Sequence, residues 1–77
     1  MNELQIKKRL IAEATLRDIQ EIDDNDVARL DEYITLNYAK NGKIYYWYLD
    51  CDGVEVVSDI NGNIIKVDNT MDCFGIL

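Results

Sequence analysis

Residues 41–62 read NGKIYYWYLDCDGVEVVSDING, and the punctuation of that stretch decides the fold. Asn41-Gly42, Asp52-Gly53 and Asn61-Gly62 are dipeptides of the type I′ hairpin class, 11 and 9 residues apart. Both central residues of such a turn need positive φ, which Gly adopts freely and Asn or Asp tolerates. Three reversals join four strands, expected over residues 33–40, 43–51, 54–60 and 63–68.

A two-residue loop fixes which residues face each other, and a slip of one turns every side chain to the other face. Pairing about Asn41-Gly42 sets Ile34, Leu36 and Tyr38 opposite Leu49, Trp47 and Tyr45. Pairing about Asp52-Gly53 sets Cys51, Leu49 and Tyr45 against Val54, Val56 and Ile60. Pairing about Asn61-Gly62 brings Val56 to Val67 and Ser58 to Ile65. The three turns then agree on one apolar face, the face a helix should cover. The opposite face carries Tyr46, Tyr48, Asp50, Glu55, Asp59 and Asp68, with Asp50, Glu55 and Asp68 side by side across three strands.

Upstream, Asn2 with Gln5 three residues later forms a capping box. Leu4, Leu10, Ile11, Ala14, Ile19 and Ile22 then recur as a helical stripe, giving a helix over 3–22. Lys7 and Asp18 interrupt the stripe and should snorkel outward. Asp23-Asp24-Asn25-Asp26 stops the helix and caps a short turn at Val27–Leu30. Val27, Leu30, Ile34 and Tyr38 also recur at helical spacing, which gives the alternative of two helices plus three strands. Tyr33-Ile34-Thr35 favours sheet, so the expected fold is α+β. A single domain spans 1–77, with an N-terminal α-helix packed on one face of a four-stranded antiparallel β-meander. Residues 69–77 form an apolar C-terminal tail whose Met71, Phe74, Ile76 and Leu77 offer an alternative cover for the outer sheet face.

With 77 residues the chain has a thin core and a narrow stability margin. The absence of His removes Ser-His-Asp, Cys-His and His-zinc chemistry together, and no enzyme activity, metal or cofactor is expected. A net charge of −7 works against direct nucleic-acid binding, for which Lys and Arg must displace counterions. Residues 44–77 hold six acidic side chains against Lys66, while residues 1–22 balance four against four, so the negative field belongs to the sheet half. No apolar run reaches signal or membrane length, so no membrane contact is expected. Cys51 and Cys73 form no ligand motif, and the expected setting is cytoplasmic with reduced thiols.

Asp50-Cys51-Asp52-Gly53 with Asp59 matches four positions of an EF-hand loop, but Tyr48 stands where its first carboxylate is required and the flanks are strands. Hairpin turns account for these residues better. Carboxylates beside each thiol weaken it as a nucleophile.

Tyr45-Tyr46-Trp47-Tyr48 through Asn63-Ile64 resembles the hairpin of PepSY-type modules over about a third of the chain, on turn residues common to many sheets. In length, acidity, tyrosine content and lack of proline the chain is similar to small phage or mobile-element proteins that block host nucleic-acid or defence enzymes. These features lead to a small acidic non-enzymatic protein-binding module, an inhibitor docking on a basic surface through Tyr46, Tyr48, Asp50, Glu55, Asp59 and Asp68. The alternative is a structural homodimer pairing through the tyrosine-bearing sheet face.

Overall fold

The computed structural model describes residues 2–69. Helix α1 (Glu3–Thr15) is followed by a 3-10 turn (Ile19–Glu21), helix α2 (Asp24–Leu30) and a second 3-10 turn (Asp31–Tyr33). Four strands follow, β1 (Ile34–Tyr38), β2 (Ile44–Leu49), β3 (Val54–Asp59) and β4 (Ile64–Asn69), in one antiparallel sheet of order β1-β2-β3-β4. The fold is α+β, with the helices on one face of an open meander. Residues 34–38, which also fitted a helical spacing, are strand, and helical structure before them ends with α2 and its 3-10 extension.

Asn2 caps α1, its side chain accepting from the Gln5 N–H at 2.8 Å. The helix ends at Thr15, seven residues short of the expected Ile22, and is closed by Leu16, which takes a left-handed conformation with φ of 56°. The Leu16 and Arg17 N–H groups both donate to the Ala12 carbonyl, closing the last turn as glycine usually does. Asp18 restarts the chain by capping the 3-10 turn at Gln20. Asp23 begins α2 with a reciprocal capping box to Asp26. Lys7 does reach outward, pairing with Glu3 and Asp31, and Lys8 pairs with Asp24 at 2.9 Å. The contact with Asp31 raises the Lys7 pKa above the usual lysine value.

The hairpins depart from the expected two-residue loops. Ala39 N–H donates to the Lys43 carbonyl and Gly42 N–H to the Ala39 carbonyl; the same pair of bonds closes Asp50–Val54 and Asp59–Asn63. Gly42, Gly53 and Gly62 have φ of +82°, +83° and +90°, and Leu16 is the one other described residue with positive φ. Each loop is therefore a three-residue type I turn closed by a left-handed glycine: Lys40-Asn41-Gly42, Cys51-Asp52-Gly53 and Ile60-Asn61-Gly62. The extra loop residue moves the register by one. Ile34 faces Tyr48 rather than Leu49, and Leu49 faces Glu55 rather than Val56. In the third hairpin a bulge between Val57 and Ser58 restores the expected pairing of Val56 with Val67.

Strand β2 is thus inverted relative to the expected pattern, while Ile34, Leu36, Val54 and Val56 keep their expected face. Tyr46 and Tyr48 point to the helices, and Tyr45, Trp47 and Leu49 point away from them. The core unites Ile6, Leu10, Ile11, Ala12 and Ala14 of α1 with Ile22, Val27, Tyr48 and Val56; Ile34, Tyr46, Val54 and Ile64 pack at its margin. Helix α1 lies over β3 and reaches β4, and α2 packs beside α1.

A Cβ added at Gly42 meets no atom, so the left-handed backbone alone opposes substitution there. Gly42→Ala is expected to cost roughly 1 kcal/mol, read as a lower denaturation midpoint with an unchanged slope.

Candidate functional site

The face that the helices leave uncovered is built from alternate residues of β2, β3 and β4. Tyr45, Trp47 and Leu49 stand opposite Asp59, Val57 and Glu55, which in turn neighbour Lys66 and Asp68. Val57 is only 4% exposed although it lies on this outer side, flanked across the strands by Trp47 and Lys66. A shallow depression of about 220 Å³ opens there, walled by Tyr45, Trp47, Val57, Ile65 and the Lys66 stem, with Ala39 and Asn41 at one end. A second hollow of about 500 Å³ lies toward the loop ends, between Lys43, Ile44 and Tyr45 on one side and Asp59, Ile60, Asn61 and Ile65 on the other.

The polar groups of this face have defined engagements. Asn41 Nδ2 donates to the Tyr45 hydroxyl at 3.0 Å, holding the ring beside the depression. The Trp47 indole Nε1 is buried and has no hydrogen-bond partner among the described residues. Lys66 Nζ donates to Glu55 at 3.1 Å and lies 3.8 Å from Asp68; Glu55 is the main cause of its raised pKa. Asp59 accepts from Asn63 Nδ2 and from the Asn61 and Asn63 N–H groups, each at 2.9 Å. These bonds, the Asn63 side chain foremost, hold its carboxyl below the usual aspartate range and commit it to the turn.

Of the six residues expected to share an outer face, Glu55, Asp59 and Asp68 lie there. Tyr46, Tyr48 and Asp50 do not, because the three-residue loops on either side of β2 turn its even-numbered residues inward. Tyr48 is fully buried, and its hydroxyl donates to Asp50 Oδ1 at 2.7 Å; Asp50 is 8% exposed. The row of Asp50, Glu55 and Asp68 does not form. Glu55 and Asp68 face each other across β3 and β4 with Lys66 between them, while Asp50 is on the helix side.

Ligand atoms of Asp50, Cys51 and Asp52 lie within 4.8 Å of one another, but the Asp50 carboxylate is already engaged by Tyr48 and the loop is the second hairpin turn. Cys51 is an exposed free thiol; Asn69, the first residue of the expected tail, ends β4, and Cys73 with the rest of the tail, 70–77, lies outside the described residues. No described helix is long and apolar enough to cross a membrane.

Sequence reasoning placed Tyr45, Trp47 and Leu49 in the core and so missed the aromatic centre of this face. The signal that finds them is the triplet ending in Gly at each reversal, which also fits a three-residue loop. Compared with known proteins, the chain matches no family model, no curated protein and no solved structure.

Proposed function

We propose that this chain is a non-enzymatic protein-binding module, and that the outer sheet face docks on a basic surface of its partner. The observation that carries the reading is the Trp47 depression: an apolar floor of Trp47 and Val57 walled by Tyr45, Ile65 and the Lys66 stem, with Glu55 and Asp68 paired two residues farther along the same face. Trp and Tyr flanked by charge are the usual anchors of protein interfaces, because each offers a large apolar body with one hydrogen-bonding tip. The apolar floor suits an apolar side chain of the partner, and the Glu55 and Asp68 carboxylates beside it suit its Lys and Arg.

A partner that normally holds nucleic acid fits this charge pattern, since carboxylates compete for the same cations that bind phosphate. Inhibition of a host nucleic-acid or defence enzyme, in a reducing cytoplasm, is the setting that this reading favours. Both hollows are open surface depressions rather than clefts enclosing paired titratable groups, which supports binding over catalysis.

The test is recovery of a host protein on the immobilised chain, its identification by mass spectrometry, and measurement of its affinity for purified variants. Trp47→Ala is expected to weaken binding roughly thirtyfold, as truncation of a central anchor does. Lys66→Ala, which releases Glu55 and Asp68, is expected to tighten it, and added salt to weaken it. An affinity indifferent to Trp47→Ala and to salt refutes the proposal.

A further inference from the structure

We infer that two copies of this chain join through the free edge of β1, running antiparallel about Leu36, to make one continuous eight-stranded sheet. The inference uses the sheet edge and does not rest on the proposed role of the outer face.

The two edges of the sheet differ in kind. The β4 edge is charged, with Lys66 and Asp68 along it. The β1 edge, Ile34-Thr35-Leu36-Asn37-Tyr38, has no charge and no proline, and thus none of the devices by which sheet edges usually refuse a further strand. Its apolar side chains are also unusually open: Leu36 is 54% exposed and Tyr38 74%, because α1 lies over β3 and β4 and, among the described residues, none covers this corner of the inner face.

The hydrogen-bonding phase agrees. Ala39 N–H bonds β2 at Lys43, so along β1 the odd-numbered residues direct their main-chain groups to β2 and the even-numbered ones direct theirs to the free edge. Ile34 N–H is taken by the Asp31 carbonyl of the preceding 3-10 turn. With Leu36 opposite its own copy, Leu36 N–H and C=O serve each other across the axis, and Tyr38 N–H meets the Ile34 carbonyl of the second copy. That gives about four main-chain hydrogen bonds by symmetry. On the inner face the two Leu36 side chains touch, each flanked by an Ile34 and a Tyr38. On the outer face Thr35 meets Asn37 of the second copy, the pair that already hydrogen-bonds within one chain at 2.8 Å.

Charge accords with this pairing. Glu32, in the 3-10 turn before β1, and Lys40, in the loop after it, lie just beyond opposite ends of the strand, so the antiparallel dimer brings Glu32 of one chain toward Lys40 of the other, twice by symmetry. Both are exposed, and neither forms an ion pair with any described residue. Two complementary pairs thus flank an uncharged strand and offset part of the repulsion between two chains of net charge −7.

Sedimentation velocity of the full chain over a micromolar to sub-millimolar series tests this. The expected result is a reversible species of twice the 8.9 kDa chain mass. Leu36→Lys sets two lysines face to face and is expected to weaken the dimer at least about tenfold, with an unchanged circular dichroism spectrum. Should that variant fail to fold, Glu32→Lys and Lys40→Glu, both at exposed sites, keep the question open to measurement. Each alone is expected to weaken the dimer, and the two together to restore it. Three results overturn the inference: a monomer at every concentration, a dimer that tolerates Leu36→Lys in the folded chain, or a double exchange that restores nothing.

Discussion

Tyr48→Ala is expected to cost about 3–5 kcal/mol, enough to leave a domain of this size largely unfolded at room temperature. Tyr48 has no exposure, lies at the centre of β2 between Ile34 and Val56, and is one of the largest fully enclosed side chains among the described residues. Removing its ring opens a cavity beneath α1 that Leu10 and Ile11, held on a helix, cannot fill by moving. Tyr48→Phe separates the ring from its hydroxyl. It keeps the packing but strips the Asp50 carboxylate of its 2.7 Å donor inside the protein, and the expected cost is about 1–3 kcal/mol.

The same hydroxyl gives the fold an alkaline limit. Burial, and then the hydrogen bond to Asp50, raise the Tyr48 pKa well above its ordinary value of 10.0. The folded state therefore holds the phenolic proton more tightly than the unfolded chain. The stabilisation is complete below the unfolded pKa and is lost progressively as the pH climbs beyond about 10. Denaturant midpoints measured between neutral pH and pH 11 should fall for the natural chain, and Tyr48→Phe should remove that residue's share of the fall. A midpoint equally steep with pH in Tyr48→Phe would show that Tyr48 is not the group responsible.

The inversion of β2 shows what the sequence could and could not say. Strand β3 alternates Val54, Glu55 and Val56, so its apolar side is legible from the residues alone. Strand β2 reads Ile44-Tyr45-Tyr46-Trp47-Tyr48-Leu49, large and apolar on both sides, so nothing in the strand itself picks the inward set. The decision passes to the loops, and Asn-Gly or Asp-Gly serves two geometries. As a type I′ pair it makes a two-residue loop; as the end of a type I turn closed by a left-handed glycine it makes a three-residue one. The two differ by one residue of register, which is the whole difference between Trp47 inside and Trp47 outside. The end of α1 was hidden for a similar reason. A left-handed stop normally announces itself with Gly or Asn, and here Leu16 occupies it, so the apolar spacing ran on past the stop to Ile19 and Ile22.

Leu10→Ala is the second substitution of large expected effect, because α1 depends on its docking. An isolated 13-residue helix is marginal in water, and this one carries charge along the stripe that should bury it. Its stability comes from Ile6, Leu10 and Ile11 set against Tyr48 and Val56, and Leu10 is fully enclosed. Truncation to alanine should cost about 2–5 kcal/mol and be read as a lower denaturant midpoint. The loss should exceed that of Leu4→Ala on the same helix, since Leu4 is exposed and surface truncations stay within about 0.5 kcal/mol. Helix signal in circular dichroism should fall together with the fluorescence change of Trp47 on the far side of the sheet, if helix and sheet unfold as one unit. A helix lost at lower denaturant than the Trp47 environment would mean instead that the meander stands without its cover, and the inner face around Tyr48 would then bind an apolar dye before the sheet unfolds.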